Sequence, residues 1–386
     1  MREGWIEKRF DEVFTLQMGK TPDRKNPALF EGNNTWVSIR DLGEKYISSS
    51  NECISDEAAA NINMVKEGTV IMSFKLTVGK CAIASKDLYT NEAIMAFNVK
   101  EEYKIDSSFL YYYLQNYRWE GANKAVMGQT LNKATISKHT ICIPSISVQQ
   151  SIVSELDKIN ELIRLKKEQL SDYDKLAQSL FNEMFGDPIE NEKGWEVKKL
   201  GEVCECITDG DHMPPPKSDT GIPFVTIGNV NKESRQIDFD NTYFVPREYF
   251  DNIPNIKKPR RGDVLYTVTG SYGIPIIINY DKEFCFQRHI GLLRPKDFMS
   301  PVFLCMWASN DRTKGQAEMV ATGIAQKTVS LKSLRNFSII LPPLALQQLF
   351  AQRIELIEKQ KAEIKRTIAD LETLLASRMQ YWFFDF

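Results

Sequence analysis

"TISKHTICIPSISVQQ" (Thr135–Gln150) and "SLRNFSIILPPLALQQ" (Ser333–Gln348) are one pattern written twice, 198 residues apart. Both keep a proline, Pro144 and Pro342, and a glutamine pair, Gln149-Gln150 and Gln347-Gln348. The repetition extends outward. "GWIEKRFDEV" from Gly4 returns as "GWEVKKLGEV" from Gly194, and "TWVSIRDL" returns as "PFVTIGNV" (Pro223–Val230). "EGTVIMSFKLTVGKCAI" from Glu67 returns as "RGDVLYTVTGSYGIPII" from Arg261, keeping Gly68/Gly262, Val70/Val264 and Gly79/Gly273. "FLYYYL" at Phe109 matches "FLCMWA" at Phe303. A period of about 190 residues is too long for a solenoid repeat and suits a duplicated domain with its helix.

In each copy the first part reads as short strands and helices. "TWVSI", "GTVIMSF", "FVTI", "DVLYTV" and "IPIIIN" are β-branched and punctuated by Gly and Pro. "SSFLYYYLQNY" and "SPVFLCMWASN" place an apolar block after a serine-containing start, as a capped helix does. Tyr111, Tyr112 and Tyr113 read as the buried face of that helix rather than a platform for stacking bases.

The second part differs in kind. Ile152, Leu156, Ile159, Ile163, Lys166, Leu170, Tyr173, Ala177, Leu180 and Met184 follow a 4-3-4-3 spacing, which is a heptad seam. Phe350, Ile354, Ile357, Lys361, Ile364, Ile368, Leu371, Leu375, Arg378 and Trp382 repeat that register. One lysine interrupts each seam, Lys166 and Lys361, and polar seam residues fix register at some cost in stability. The pattern predicts an antiparallel intramolecular coiled coil with one domain at each end.

The totals narrow the class. The 386 residues allow two or three domains, and 42% hydrophobic with 26% charged is ordinary for a soluble protein. No apolar run is long enough to span a membrane, and "MREGWIEKRF" is charged where a signal peptide is apolar. Seven cysteines without a CxxC pair favour reduced thiols in a cytoplasm. Net charge is −2, but residues 148–192 alone hold 5 basic and 10 acidic side chains, leaving residues 193–345 with 20 and 17. A basic face on either large segment is compatible with that distribution.

Enzymatic signatures are missing. Gly19-Lys20-Thr21 imitates a phosphate-binding loop, but the first glycine of that motif would fall on Phe14, and Pro22 follows at once. Asn26-Pro27-Ala28-Leu29 is the nearest string to the Asn-Pro-Pro-Tyr of methyltransferases. No Gly-rich cofactor loop follows a strand, and no Pro-Asp…Glu-x-Lys nuclease pattern occurs. Asp209, Asp211 and His212 suggest a metal site but lack further ligands nearby, so they read as an Asx-type turn.

Two similar modules on a stiff spacer suit an extended ligand such as DNA. Here the residues carry a resemblance. "GKTPDRKNPALFEGNNTWVSIRDL" resembles the opening of a target recognition domain in specificity subunits of type I restriction-modification systems, and "ITDGDHMPPPKSDTGIPFVTIGNV" resembles a second version of it. "IPSISVQQSIVSELDKIN" and "LPPLALQQLFAQRIELIE" are similar to the family's helix entries, and "LFNEMFGD" and "MQYWFFDF" to its helix ends. The resemblance implies an α+β fold: two tandem mixed α/β target recognition domains separated by two long helices that form the coiled coil. Its boundaries are 1–146 for the first domain, 147–187 for the first helix, 188–343 for the second domain and 344–386 for the second helix.

The implied function is non-catalytic: each domain reads one half of a bipartite asymmetric site in double-stranded DNA. The helices set the gap and dock two modification (methyltransferase) subunits, with restriction/translocase subunits also in the complex. This chain would bind no cofactor; its partners would use S-adenosylmethionine, ATP and Mg. A specificity subunit of a type IIB-like enzyme shares the layout, and a catalytic methyltransferase or nuclease chain is the alternative of another class.

Base reading needs Arg or Lys toward guanine and Asn or Gln toward adenine, whereas phosphate contacts position without specifying. In the first domain the candidates are Lys20, Arg24, Lys75, Thr77, Lys80, Asn91, Gln129, Asn132 and Lys133, with Glu92 beside Asn91. In the second they are Lys257, Lys258, Thr269, Ser271, Tyr272, Gln287, Arg288, His289, Gln326 and Lys327. Lys257 to Arg261 reads as a solvated or phosphate-facing strip.

Overall fold

Strands Val70–Ser73 (VIMS) and Ile94–Val99 (IMAFNV) have no polar face over their first four residues, so both sides of their sheet must be covered. Alternation sorts the side chains: Val70, Met72, Met95 and Phe97 enter one apolar cluster, while Ile71, Ile94 and Ala96 enter another. The same holds for Val264–Thr267 and Ile290–Pro295, with Val264, Tyr266 and Leu293 on one side and Leu265, Ile290 and Leu292 on the other.

The computed structural model describes residues 2–119, 123–125, 128–323 and 326–384, with backbone alone for 123–125 and 128–130. The chain divides into two compact units, residues 1–167 with 367–386, and residues 168–366. Each unit therefore holds one mixed α/β domain and a portion of both long helices.

In the first unit a five-stranded sheet runs Phe14–Met18, Ile94–Val99, Val70–Ser73, Cys81–Ala84, Tyr46–Ile47. Glu52–Ile54, Asn34–Val37 and Tyr89–Thr90 form a second sheet, and Ile6–Arg9 pairs with Thr140–Ile143 just before the first long helix. The second unit repeats this with Cys204–Asp209, Ile290–Pro295, Val264–Thr267 and Pro275–Ile277, beside Tyr243–Val245, Ile222–Val225 and Cys285–Phe286. Glu196–Lys199 pairs with Ser338–Leu341 before the second long helix.

The helix Ser107–Asn116 buries Tyr111, Tyr112 and Tyr113 against the sheet, so the tyrosines are core. Its cap is Asp106, whose carboxylate accepts from Ser108 and Phe109 N–H, rather than either serine. In Pro301–Ser309 Ser300 is the cap, with Pro301 in the first turn.

The repeated glutamine pair now has a cause. Gln149 is fully buried: its amide donates to the Lys104 and Pro144 carbonyls, and its oxygen accepts from Asp106 N–H at 2.8 Å. Gln347 does the same toward Phe298, Pro342 and Ser300. Each glutamine ties a long helix to the capping residue of a domain helix.

The long helices span Ile146–Phe185 and Leu344–Phe383, and within each unit their segments run antiparallel. In the first unit Glu155 bonds Arg378 and Trp382 while Lys167 meets Glu372; in the second Asp174 meets Lys361 and Met184 lies by Arg353. Ile152, Leu156, Ile159, Ile163, Ile354, Ile357, Ile364 and Ile368 are buried, whereas Leu170 and Leu371 are half-buried.

At the helix ends the heptad reading needs correction. The rows that bury are Ala177, Phe181 and Phe185 in one helix and, after half-buried Leu375, Met379 and Phe383 in the other, a 4-4 spacing. Leu180, Met184, Arg378 and Trp382 are only half-buried. Those last turns pack on the domain, as Phe185 on Phe303 (4.8 Å between ring centroids) and Phe383 on Phe109 (5.7 Å) attest, so the straight-helix period applies.

Lys361 lies half-buried between Asp174 (2.8 Å) and Glu358 (2.7 Å). Burial pulls its pKa down, but the two carboxylates outweigh that and raise it, so the ammonium stays charged.

Candidate nucleic-acid interface

In the first unit a hairpin tip is built on Ser73, whose hydroxyl donates to the Thr77 carbonyl and accepts from Lys80 N–H. In the second, Thr267 does the same: its hydroxyl donates to Ser271 O at 2.7 Å and accepts from Ile274 N–H at 2.9 Å. Gly79 (φ 92°) and Gly273 (φ 89°) close the two tips in the left-handed region.

The three predicted segments of each unit converge on this tip. Phe74 N–H donates to Ala93 O, and Leu131 N–H to Phe74 O; their counterparts are Val268 N–H to His289 O and Val329 N–H to Val268 O. Asn91 N–H reaches Val37 O as Gln287 N–H reaches Val225 O. The candidates Lys75, Thr77, Lys80 and Asn91 thus sit together, as do Thr269, Ser271, Tyr272, Gln287, Arg288, His289 and Lys327. Lys20 joins the first group because its N–H bonds Thr90 O, at the place where Asp211 N–H bonds Phe286 O.

The preceding glycines explain that docking. A Cβ on Gly19 would lie 2.1 Å from Thr90 O, and one on Gly210 would lie 1.8 Å from Phe286 O. The glycine of the false phosphate-binding loop is there for close backbone approach.

Within these groups some candidates are already occupied. Thr269 is buried and accepts from the Thr328 hydroxyl at 3.2 Å. Tyr272 packs on the core. Asn132 caps Lys133–Lys138 by accepting Thr135 N–H at 2.8 Å. Gln129 lies in Gly128–Thr130, beside Lys75–Leu76, with only its backbone described. Lys20, Lys80, Lys133, Gln326, Lys327 and Arg288 are exposed. His289 is half-buried; burial and the neighbouring Arg288 lower its pKa, keeping a neutral imidazole near pH 7.

Two assignments change. Arg24 is spent on Glu52, as a bidentate pair (2.5 and 2.9 Å) over Phe30 and Trp36, and braces the first loop instead of standing free. The strip from Lys257 to Arg261 is partnered rather than free, half-buried at Lys257 and Lys258 and exposed at Arg260 and Arg261. Lys257 Nζ donates to Gly210 O (3.2 Å), Lys258 Nζ to Asp251 O (3.1 Å), Arg260 pairs with Glu205 and Arg261 with Asp281. A string of basic letters does not disclose acids contributed from elsewhere in the fold.

The acidic turn reading also gives way. Asp209 accepts from His212 at 2.9 Å, and Asp211 accepts the Tyr249 hydroxyl at 2.8 Å. Burial, and then that bond, raises the Tyr249 pKa. Asp211 pairs by its backbone with Gln287 instead of forming an Asx turn. Among the described residues no group of three or more His, Cys, Asp or Glu is placed to hold a metal ion, and no helix is long and apolar enough to cross a membrane.

Residues 2–172 and 192–373 each match the type I restriction modification DNA specificity domain. The chain belongs to that family. It is 27% identical over 255 residues to the type I restriction enzyme MjaIX specificity subunit of Methanocaldococcus jannaschii, covering 59% of this chain and 58% of that one. With the MjaVIII specificity subunit of the same organism it shares 20% identity over 97% of its own length and 92% of the relative's. Among solved structures it shares the fold of a chain from a type I R-M system (TM-score 0.65, 20% identity, covering 99% of this chain and 98% of that one). The S subunit from M. genitalium shares it too (TM-score 0.55, 16% identity, 99% and 96% covered).

Proposed function

We propose that this specificity-family chain is the non-catalytic DNA-recognition subunit of a type I restriction-modification complex. Each unit reads one half of a bipartite, asymmetric duplex site. The observation that carries this reading is the pairing of one hydrogen-bonded frame, used twice, with different side chains on its tips. A catalytic pair would keep its chemistry in both copies; two readers of different half-sites need to differ where the ligand is met.

The division of labour follows residues 1–146 and 188–343 as the readers and 147–187 and 344–386 as spacer. The spacer sets the gap between half-sites and docks two modification subunits, with restriction/translocase subunits joining them. S-adenosylmethionine, ATP and Mg belong to those partners. Lys20, Lys75, Lys80, Lys133 and Lys327 supply phosphate contacts, and Asn91, Gln287 and Arg288 face base edges.

Insertion of one heptad into both long helices tests the reading. It adds about 10 Å, or roughly three base pairs, to the spacer. Mapping methylated sites of the assembled complex will show both half-sites unchanged and the gap lengthened. An unchanged gap would defeat the ruler, and no sequence preference in the wild-type complex would defeat DNA reading itself.

A further inference from the structure

At two equivalent places beside the tips, the units carry opposite charge. Lys20 and Asp211 occupy the same position, since their N–H groups make the same bond to Thr90 O and Phe286 O, both at 2.9 Å. Glu92 and Arg288 do as well: each is the second residue of a turn closed by Ile94 N–H on Asn91 O (3.2 Å) or Ile290 N–H on Gln287 O (3.0 Å). The first unit thus presents a cation at 20 and an anion at 92, and the second an anion at 211 and a cation at 288. All four are placed by backbone, so the inversion is not a matter of side-chain rotamer.

In neither unit do the opposite charges pair. Arg288 N–H bonds Asp211 O at 3.1 Å, yet the Asp211 carboxylate takes the Tyr249 hydroxyl, and Arg288 has no ion pair among the described residues. Glu92 takes the Thr21 hydroxyl rather than the Lys20 ammonium. Holding them apart with a neutral hydroxyl leaves Arg288 and one Glu92 oxygen for a ligand.

Resting on the DNA-reading function above, we infer that positions 92 and 288 set specificity in opposite senses. Arg288 donates to O6 and N7 of a guanine in the half-site of the second unit. Glu92 accepts from the exocyclic amine of a cytosine or adenine at the corresponding place in the other half-site. Lys20 and Asp211 balance the local charge, so neither turn is a uniform phosphate trap.

The test uses the chain assembled with its modification subunits and duplexes selected by that complex from a randomised library. Scanning one half-site with 7-deazaguanine will find one position where wild-type affinity falls about tenfold. Arg288→Lys, which keeps the charge and loses the fork, will be insensitive there and will accept other bases. Scanning the second half-site with N4-methylcytosine or N6-methyladenine will find one position that Glu92→Leu, which keeps no acceptor, no longer distinguishes, and the responding analogue names the base. Glu92→Arg will move that position to guanine. Variants that bind as wild type with unchanged analogue profiles, or that weaken every sequence alike, would overturn the inference while leaving DNA reading intact. A wild-type complex that selects no sequence would bring down both.

Discussion

Compare the tip Ser73–Lys80 of the first unit with Thr267–Ile274 of the second. The frame is the same: a hydroxyl at the first position, a left-handed glycine at the seventh, and equivalent bonds to two neighbouring segments. The apex differs. Leu76 holds φ 65° where Gly270 holds φ 73°, and Lys75 stands where Thr269 does. The frame is set by backbone requirements that few residues meet, whereas the apex shares only the left-handed backbone of its fourth residue and its side chains are free to change with the ligand. Recognition chemistry can therefore vary without disturbing the fold.

The largest expected effects fall on the frame. Gly210→Ala and Gly19→Ala place a Cβ within 1.8 and 2.1 Å of main-chain carbonyl oxygens that cannot rotate away. Each will destabilise its own unit by about 3 kcal/mol, read by hydrogen exchange resolved to each unit. Gly43, with open space around it, is the control and will tolerate alanine. A comparison of units sharpens this further. Arg294 and Asp263 form a buried bidentate pair (2.9 and 2.8 Å), where the first unit has Asn98 and Thr69. Arg294→Met will cost the second unit about 3–5 kcal/mol by stranding a buried carboxylate, and adding Asp263→Leu will restore much of it.

Next in size are the glutamines. Gln149→Leu and Gln347→Leu strand the Asp106 and Ser300 N–H groups and two carbonyls each. Both will cost about 2 kcal/mol in urea unfolding, equally in the two units because the bonds are the same. A smaller effect separates the apices: Gly270→Ala, in open space but left-handed, will cost about 1 kcal/mol, while Leu76→Gly will be neutral or slightly stabilising.

Much of this was legible in the letters because duplication exposes what must be kept. The glycines at 79 and 273, the glutamines at 149 and 347 and the seam from Ile152 to Ile163 recur for backbone, hydrogen-bond and packing reasons. Illegible were pairings between distant segments. Glu52 claims Arg24 and Glu205 claims Arg260, and no local pattern announces either acid. The change from heptad to 4-4 spacing at Phe181 and Met379 was hidden for a related reason. Which period a helix obeys depends on what it packs against, here the other long helix along the middle and a short domain helix at the end.

The smallest effect tests the helix pairing in the first unit. Glu155 accepts from Arg378 Nη2 at 3.1 Å and from Trp382 Nε1 at 2.9 Å. The Arg378 hydrogen bond holds the carboxyl below its ordinary 4.5; burial opposes it in part, and the Trp382 indole N–H adds to the lowering. A depressed folded pKa contributes stability that is present above the unfolded value and lost as pH falls through the folded one. Because the pair is about one third exposed, solvent screens it to at most about 1 kcal/mol. Glu155→Gln will therefore lower the stability of the first unit slightly at pH 7 and not at all once pH is well under 4.5. The second unit has Arg353 at the equivalent turn, where a glutamine will show no such acid convergence. A pH-independent difference between wild type and Glu155→Gln would mean that the charge on Glu155 does not contribute to holding these helices together.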